Sequence, residues 1–426
     1  MNLLELYLKC GRRVTTDSRA IKGGEIFFAL RGENFDGNQF AMASVEAGAA
    51  YAVVNNDAQL PEDSRLIKVG DPFTELRQLA IDYRKYLNIP FIGLTGTNGK
   101  TTTKELVREV LSRKFRVSAT NGNLNNDIGV PLTILSIPED AEIAVVEMGA
   151  SHPDDIAKLV QVSQPDYGLI TNVGKAHLLG FGSFEGVKAA KGELYRWLGS
   201  HDGSVIFLNA DDPDLSSMAA KEPCHVWSYG IKYQGVELLP SNAENPFLRL
   251  KIGNDLVETH FVGVYNANNI LAAIAVGEYF GVSRADAISA VSSYVPANSR
   301  SQMVRTAKNT LIVDAYNANP SSMAAALDNF RNIDSSAKWA LLGDMRELGS
   351  ESAAEHGKVV SRLAADGLNA YLVGAEFKEA AKDSDFKCFD SSDELASFLS
   401  ENPLTGAVVL VKGSRGIRME KVLDVL

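Results

Sequence analysis

The sequence predicts an α/β protein of three domains, two of them built on a doubly wound, mostly parallel sheet. Short apolar runs typical of buried strands alternate with helical patterns, and this alternation begins near residue 89 and again near residue 296. Because 426 residues exceed what one hydrophobic core usually holds, several domains are needed. We expect them at residues 1–88, 89–295 and 296–426.

Composition limits the classes of function. The chain is 45% hydrophobic and 22% charged, values typical of a soluble globular protein. Its net charge of −11, from 42 basic and 53 acidic residues, argues against general nucleic-acid binding and against binding to anionic membranes. A small anionic substrate stays compatible with this charge, because a local basic cluster can bind it.

Cysteine usage and hydropathy favour the cytoplasm. Cys10, Cys224 and Cys388 are far apart and form no C-x-x-C pair, as expected in a reducing compartment. The start "MNLLELYLKCGRR" lacks the apolar segment of a signal peptide. No apolar run approaches the roughly 20 residues of a membrane span. We therefore expect a cytoplasmic protein without membrane insertion.

The predicted elements differ between the regions. In the first, "EIFFAL" and "AYAVV" are predicted strands, and "FTELRQLAIDYRKYL" is a predicted helix. In the second, "PFIGLTG", "AEIAVVEMG", "DYGLITNVG" and "SVIFLNADD" are predicted parallel strands, and "YNANNILAAIAVGEYFGV" is a predicted buried helix. In the third, the predicted strands are "NTLIVDAYN", "KWALLGDM", "NAYLVG" and "AVVLVKGS".

A glycine-containing loop between a strand and a helix predicts a phosphate site. The segment "FIGLTGTNGKTTTKE" departs from G-x-x-x-x-G-K-[ST], because Leu94 stands where that pattern has glycine. Gly96 and Gly99 still allow backbone N–H groups to face a phosphate, and Lys100 supplies a positive charge. The Thr101 hydroxyl is suited to Mg²⁺, and the next segment, "TTKELVREVLSRKF", is a predicted amphipathic helix. The alternative is a strand-to-helix turn with an incidental lysine.

Two other side chains fall near strand ends of the same predicted sheet, and two lysines follow on a predicted helix. Glu147 ends "AEIAVVE", where a carboxylate could hold Mg²⁺ or simply be a solvated turn residue. His177 follows a strand end, although a lone histidine is more often structural. Lys188 and Lys191 lie on a predicted helix, and their spacing favours two solvated lysines.

Further clusters are rich in amides and charges. Asn266 and Asn269 share one helical face and suit hydrogen bonds to a purine or to backbone. Turn formation is the alternative for this cluster and for the others, since Asn, Gly and Pro favour turns. These other clusters are Asn123, Asn125 and Asn126; Asp314, Tyr316, Asn317 and Asn319; and Lys412, Ser414 and Arg415.

Together these segments resemble the Mur ligase family, the ATP-dependent ligases that build the peptide of bacterial cell-wall precursors. The resemblance covers nearly the whole chain, and the family's own loop is G-x-x-G-K-[ST]-[ST]. It implies an N-terminal mixed α/β domain that binds the UDP end of the substrate, a central P-loop ATPase domain and a C-terminal Rossmann-like domain. The segments most similar to members that add D-alanyl-D-alanine are "TTDSRAIKGGEIFFALRGENFDGNQF", "NLNNDIGVP", "DAYNANPSSM" and "LLGDMRELG".

The resemblance implies a catalytic and metal-binding set. Thr101 and Glu147 would hold one Mg²⁺, and His177 would help to hold a second. Lys191 matches a lysine that relatives carry as a carbamate, whose formation from CO₂ needs a neutral, desolvated amine. The implied catalytic residues are Lys100, Glu147, His177 and Lys191.

The resemblance also implies binding roles. The ATP phosphates would lie on Gly96, Thr97, Asn98, Gly99, Lys100, Thr101 and Thr102. Adenine would lie near Asn266 and Asn269, and ribose and phosphate near Asp314 and Asn317. Arg300, Lys412 and Arg415 would lie where the third domain closes on nucleotide and incoming peptide. The substrate is further expected at Ser18, Arg19, Asp36, Asn123, Asn125 and Asn126.

Two positions depart from the family pattern. Tyr265 and Asn38 stand where many members have histidine. Either change could alter contacts to the nucleotide or to UDP. Neither affects the implied metal set.

The implied reaction joins D-alanyl-D-alanine to UDP-N-acetylmuramoyl-tripeptide through an acyl phosphate, at the expense of ATP, in a monomeric enzyme. One alternative is the sister ligase that adds the third amino acid, but a D-N-P-R signature typical of diaminopimelate addition is absent. Another is a folylpolyglutamate synthetase, which would not be expected to carry "TTDSR". A nucleotide-gated binding protein without catalysis is the third, and the complete implied metal set argues against it.

Overall fold

The first region folds around a small parallel sheet. The structure, a computed structural model, describes residues 2–240, 246–296 and 300–426. The sheet has the strand order β1-β2-β5-β6, and β3 and β4 form an antiparallel ribbon. The elements are α1 Leu3–Lys9, β1 Val14–Thr15, β2 Ile26–Phe28, β3 Arg31–Gly32, β4 Phe35–Asp36, α2 Ala41–Glu46, β5 Tyr51–Asn55, β6 Leu66–Val69 and α3 Pro72–Leu87.

Helix α3 begins and ends at residues suited to those positions. The Asp71 carboxylate accepts hydrogen bonds from the N–H groups of Phe73 and Thr74, at 3.2 and 3.0 Å, and Pro72 occupies the first turn. The helix stops at Asn88, whose φ of 47° is left-handed. The predicted helix is confirmed.

The central region contains a fully parallel sheet with the order β12-β11-β10-β7-β9-β8. Strand β7 lies between β9 and β10, so the chain changes direction across the sheet at the loop that follows β7. A small antiparallel sheet of β13, β14 and β15 was not predicted. The elements are β7 Phe91–Thr95, α4 Lys100–Leu111, β8 Val117–Ala119, α5 Gly129–Leu135, β9 Ile143–Glu147, α6 Asp155–Ser163, β10 Tyr167–Ile170, α7 Leu178–Phe181, α8 Phe184–Lys191, α9 Glu193–Gly199, β11 Val205–Asn209, α10 Pro213–Ala219, β12 His225–Tyr229, β13 Glu237–Leu239, β14 Arg249–Ile252, β15 Asp255–Glu258, α11 Ala267–Tyr279 and α12 Arg284–Ser293.

The C-terminal region contains the second large sheet, with the order β16-β17-β21-β18-β19-β20. Its pairs are parallel except for the edge strand β16, which pairs antiparallel with β17. The predicted alternation of strands and helices is confirmed. The elements are β16 Gln302–Arg305, β17 Thr310–Asp314, α13 Pro320–Arg331, β18 Lys338–Gly343, α14 Ser352–Ala365, β19 Asn369–Val373, α15 Ala375–Ala380, β20 Lys387–Phe389, α16 Ser392–Glu401 and β21 Val408–Lys412.

Loops at the carboxyl ends of the two large sheets touch each other. The Asn319 side chain, before α13, donates to the Asn98 side chain in the loop after β7, at 2.8 Å. Lys175, after β10, forms an ion pair with Glu355 of α14, at 3.2 Å. Ligands of open α/β sheets bind at these edges, so the functional cleft is expected between the two domains. Within the described ranges, no helix is both long enough and apolar enough to cross a membrane.

Helices α4 and α11 pack against each other in the central domain. Leu106, Val107, Val110 and Leu111, on the apolar face of the predicted amphipathic helix α4, are fully buried. At Gly277 of α11, an added Cβ would lie 2.3 Å from Cγ1 of Val110. Valine has one strongly preferred rotamer in a helix, so it cannot easily move away.

We therefore expect Gly277→Ala to destabilise the central domain. Overpacking costs roughly 1–3 kcal/mol, more than the roughly 0.5–1 kcal/mol that alanine gains over glycine in a helix. Gly357→Ala in α14 is the matched control, because no atom lies within 4 Å of its added Cβ. Calorimetry should show a lower melting temperature for the first variant and an equal or higher one for the second. Equal effects would contradict this packing.

Candidate active site

The loop between β7 and α4 adopts a conformation that its glycines make accessible. Gly96 has a φ of 145° and Gly99 has a φ of 77°. A Cβ at Gly96 would lie 2.0 Å from Oγ1 of Thr171, which leaves no room for a side chain. Helix α4 begins at Lys100, so its unpaired N–H groups and its positive dipole end lie at this loop.

Residues after the neighbouring strand β10 brace this loop. Thr171 Oγ1 and Asn172 Nδ2 donate to the carbonyl oxygen of Asn98, at 2.6 and 3.0 Å. The backbone N–H of Asn98 donates to Asn172 Oδ1 at 3.0 Å. The sequence analysis did not predict these two supporting residues. The polar residues of "TNVG" at the end of a predicted strand could have indicated them.

Lys100 folds back over its own loop. Its Nζ donates to the carbonyl oxygens of Gly96 and Thr97, at 2.7 and 3.1 Å. Burial lowers the pKa of Lys100, an effect opposed by Glu147 and reinforced by Arg300. A phosphate at the loop would supply the nearby negative charge that this ammonium needs.

Glu147 is a buried carboxylate, and the alternative of a solvated turn residue is wrong. Its side chain is 1% exposed at the end of β9. Thr101 Oγ1 and Asn125 Nδ2 both donate to Oε1, at 3.2 and 2.8 Å. Oε2 has no hydrogen-bond partner in the described part of the chain. A buried carboxylate oxygen needs a partner, and a cation would satisfy it.

Lys191 is also buried, so the expectation of two solvated lysines fails for this residue. It is 2% exposed, and its Nζ donates to the carbonyl oxygen of Ala150 at 3.3 Å. The pKa of Lys191 is well below its ordinary value, mainly because burial desolvates the amine and secondly because the charge of Lys100 repels a proton. By contrast, Lys188 is partly exposed and pairs with Asp214 at 2.8 Å. Spacing could not separate the two lysines, because burial depends on what packs against α8.

His177 lies at the domain boundary. It precedes α7 with a left-handed φ of 50°, and its Nδ1 contacts the Glu347 carboxylate of the C-terminal domain. Burial lowers the pKa of His177, although Glu347 opposes the effect. The neutral ring that this favours is the form that ligates metals.

Most of these groups share one cavity of about 530 Å³. Ala150, whose carbonyl accepts from Lys191, is in its wall, and Arg300 and Tyr316 close it from the C-terminal side. The predicted site residues that line it are Thr97, Asn98, Gly99, Lys100, Thr101, Asn125, Asn126, Glu147, His177, Arg300 and Asn317.

The side chains at this cavity fit a Mg²⁺ ion that is bound partly by the protein and partly by a phosphate ligand. No group of three or more His, Cys, Asp or Glu gathers anywhere in residues 2–240, 246–296 and 300–426. Mg²⁺ usually takes one or two carboxylates and completes its shell with water and substrate phosphates. The unpartnered Oε2 of Glu147 beside the Thr101 hydroxyl matches such a site.

A second cavity, of about 310 Å³, opens between the domains beside the loop. Asn266 Nδ2 donates to the carbonyl oxygen of Val262, and Asn269 Nδ2 donates to Asn266 Oδ1, both at 3.0 Å. Thr103 Oγ1 donates to Asn269 Oδ1 at 3.1 Å. Adenine contacts by these amides stay a prediction, since protein partners already engage them. The predicted residues lining this cavity are Asn98, Gly99, Thr102, Asn266, Asn269, Arg300, Asp314, Asn317 and Lys412.

Asp314 and the buried Lys412 form an ion pair at this cavity. They end the neighbouring strands β17 and β21 in direct register. Lys412 is 1% exposed, and its Nζ lies 2.5 Å from Asp314 Oδ2 and 3.3 Å from the carbonyl oxygen of Asn317. The pair holds together the two strand ends from which a ligand would be contacted.

Two arginines flank one tyrosine at a third cavity, of about 840 Å³. The guanidinium carbons of Arg300 and Arg415 lie 3.6 and 5.1 Å from the centroid of the Tyr316 ring. Cation–π contact of this kind favours a defined arginine orientation. Thr101 and Asn123 also line this cavity, so it adjoins the loop between β7 and α4.

The asparagines of the amide-rich loop, residues 123–126, have different roles. Asn125 binds Glu147, as described. Asn126 Oδ1 accepts from the N–H of Gly129 at 2.8 Å, which fixes the start of α5. The turn alternative thus holds for Asn126, although it also lines the cavity of about 530 Å³.

The predicted first-domain residues lie elsewhere. Within the described part of the chain, none of Ser18, Arg19 and Asp36 lines the three cavities. The Arg19 side chain is 88% exposed and pairs with Asp17 at 2.8 Å. Their contacts to substrate stay a prediction.

Asn38 and Tyr265, the two residues that depart from the family pattern, both form hydrogen bonds within the protein. Asn38 is buried, and its Nδ2 donates to Asp36 Oδ1 and Asn55 Oδ1, at 2.6 and 2.9 Å. The Tyr265 hydroxyl hydrogen-bonds the Ser301 hydroxyl at 2.9 Å, and burial raises the pKa of Tyr265. Asn38 thus fixes the Asp36 turn, and Tyr265 lines the cavity of about 310 Å³.

Comparison with known proteins identifies the family. Family models described as "Mur ligase family, catalytic domain", "Mur ligase middle domain" and "Mur ligase, glutamate ligase domain" match residues 12–94, 94–277 and 299–415. The UDP-N-acetylmuramoyl-tripeptide–D-alanyl-D-alanine ligase of Bacillus subtilis (strain 168) is 36% identical, with 96% of this chain and 92% of that protein covered. The chain belongs to the Mur ligase family.

Solved structures of the family share the whole fold. MurF from Acinetobacter baumannii has a TM-score of 0.86 at 32% identity, covering 97% of this chain and 92% of that one. MurF ligase from Thermotoga maritima, in complex with ADP, has a TM-score of 0.86 at 28% identity, covering 98% and 97%. The three-domain Mur ligase fold therefore applies to this member, whereas the residue roles and the exact domain boundaries stay predictions.

We expect Glu147→Gln to abolish the extra stabilisation that Mg²⁺ adds in the presence of ADP. The change removes the carboxylate oxygen suited to the cation. Glu258→Gln is the matched control, an exposed carboxylate at the end of β15. Thermal unfolding of both variants with ADP, with and without Mg²⁺, measures the effect. A Glu147→Gln protein that Mg²⁺ still stabilises as in the wild type would contradict the metal assignment.

Proposed function

We propose that this chain is an ATP-dependent ligase that joins D-alanyl-D-alanine to UDP-N-acetylmuramoyl-tripeptide in peptidoglycan precursor synthesis. The observation that carries the proposal is the single cavity lined by Lys100, Thr101, Glu147 and His177, with buried Lys191 donating into its wall. The named activity of the full-length relatives supports the choice of substrates. We further propose a monomer that acts in the cytoplasm.

In the first step, the terminal carboxylate of the tripeptide attacks the γ-phosphorus of ATP. The bond to the bridging oxygen breaks, which gives an acyl phosphate and ADP. The main barrier is repulsion between anions, so positioning and charge neutralisation provide most of the catalysis. The phosphate loop orients ATP, and Lys100 can turn from its loop carbonyls to the transferring phosphate.

Two Mg²⁺ ions are proposed, one at Thr101 and Glu147 and one at His177 and a carbamylated Lys191. When bound, they would offset the negative charge of ATP and of the carboxylate. Lys191 suits carbamate formation because its pKa is well below the ordinary value, so more of the amine is neutral. The carbamate would place an anion near Lys100.

In the second step, the amine of D-alanyl-D-alanine attacks the acyl carbon. The bond from that carbon to the phosphate oxygen breaks, phosphate leaves, and the nitrogen loses a proton. The cavity of about 840 Å³ adjoins the loop at Thr101 and carries Arg300 and Arg415. Guanidinium groups bind carboxylates well, so we assign this cavity to the incoming dipeptide.

A substrate-omission assay tests the function against its alternatives. Steady-state ADP release should need both UDP-muramoyl-tripeptide and D-alanyl-D-alanine, because the acyl phosphate is consumed only by the amine. Release at the full rate with either one alone would overturn the proposal. Turnover with a single amino acid in place of the dipeptide would favour the sister ligase, and folate-dependent turnover would favour the synthetase. A protein that binds ATP without release would be the non-catalytic alternative.

Replacing Lys191 by alanine tests the carbamate. We expect Lys191→Ala to lower kcat by on the order of 100-fold or more, the scale of losing one preorganised charged group. A short-chain carboxylic acid should restore part of the rate by supplying an anion at the same place. Lys188→Ala, on the exposed side of the same helix, is the control and should keep near-normal activity. Near-normal activity of Lys191→Ala would remove the carbamate from the mechanism.

A further inference from the structure

The segment "GDMRELG" after β18 is held rigidly in the C-terminal domain. The Asp344 carboxylate accepts from two N–H groups of the first turn of α15, at 2.9 and 3.1 Å. The N–H of Met345 donates to His356 Nε2 at 3.0 Å, and the N–H of Arg346 donates to Ser414 Oγ at 2.9 Å. Anchors on three consecutive residues fix the place from which the next side chain, Glu347, projects.

Glu347 reaches from this segment to the central domain. Its Oε2 contacts Nδ1 of His177, and its carbonyl oxygen accepts from the N–H of Leu179 at 3.3 Å. Both Glu347 and His177 have a left-handed φ, of 66° and 50°. Such conformations are uncommon outside glycine and persist only where surrounding contacts hold them.

The contact selects one form of the imidazole. A carboxylate at Nδ1 can only accept, so Nδ1 must carry the proton and Nε2 of the neutral ring keeps its lone pair. Histidines that bind metals are commonly oriented by such a carboxylate on the other nitrogen. Here the two members of the pair come from different domains.

We propose that Glu347 is a positioning residue that, on domain closure, holds His177 as the Nδ1–H tautomer and leaves Nε2 for the metal in the cleft. The inference rests on the proposed function and adds a residue that the family resemblance did not assign. It makes the second metal position depend on closure, because the orienting carboxylate belongs to the C-terminal domain. The metal set would then be complete only when that domain is in place.

Another contact between the same domains supplies a control. The Lys175–Glu355 ion pair, at 3.2 Å, also joins the loop after β10 to the C-terminal domain. Glu355→Gln weakens closure without removing the acceptor of His177. General weakening of the interface can therefore be separated from loss of orientation.

Nitrogen-15 NMR of the histidine rings in the ADP-bound, metal-free protein tests the tautomer directly. We expect His177 of the wild type and of Glu355→Gln to be protonated at Nδ1. Glu347→Asn tolerates the left-handed φ but is too short to reach, so it should give a tautomer mixture, whereas Glu347→Gln keeps an acceptor and should retain Nδ1–H. A wild-type ring protonated at Nε2 or at both nitrogens would overturn the proposal. So would an equal change in Glu355→Gln and Glu347→Asn.

Metal binding provides the second readout. With ADP present, Glu347→Asn should weaken Mn²⁺ binding by roughly 10- to 100-fold, the range for losing an orienting partner. Glu347→Gln should restore part of the affinity, and metal-free ADP binding should stay unchanged in both. Unchanged Mn²⁺ affinity in Glu347→Asn would refute the role. Failure of the ligase function would appear instead in the substrate-omission assay with the wild type, so the two failures are distinguishable.

Discussion

Unbalanced charge buried at the carboxyl edge of the central sheet is the constraint on which the site depends. Glu147 and Lys191 are 1% and 2% exposed, and Oε2 of Glu147 has no hydrogen-bond partner among the described residues. Burying a charge without a full set of partners is costly, so the fold must pack strongly around it. A cation would satisfy the unpartnered oxygen, and a bound phosphate would balance the ammonium of Lys100.

The carboxyl ends of the two large sheets meet, and the site lies between them. Each sheet ends its strands in polar loops, and the Asn98–Asn319 and Lys175–Glu355 contacts bring the two sets of loops together. The central domain supplies the phosphate loop and the buried charges. The C-terminal domain adds Arg300, the Asp314–Lys412 ion pair and other groups at the same cleft. Contact between the two domains is thus part of assembling the site.

The order of predicted elements agreed with the structure because it rests on local patterns. Leu106 and Val110 repeat at helical spacing and are buried in α4, and the apolar run before Glu147 forms β9. The small antiparallel sheet of β13–β15 was missed, since its strands are only three or four residues long. Among the site residues, the prediction from residue spacing was most clearly wrong for Lys191. Spacing predicted that Lys188 and Lys191 are both solvated, but only Lys188 is partly exposed. Asn172, which braces the loop, was also overlooked.

The sequence by itself determined the fold class, the strand-to-helix phosphate loop and, through its resemblance to a family, the chemistry to expect. Glycine spacing and apolar periodicity act over a few residues, so they can be read without coordinates. Only the tertiary structure decided which polar side chains are buried and which meet across domains. It separated Lys191 from Lys188 and joined Glu347 to His177, which are 170 positions apart. Burial and electrostatics depend on packing between distant segments, and no local pattern contains that information.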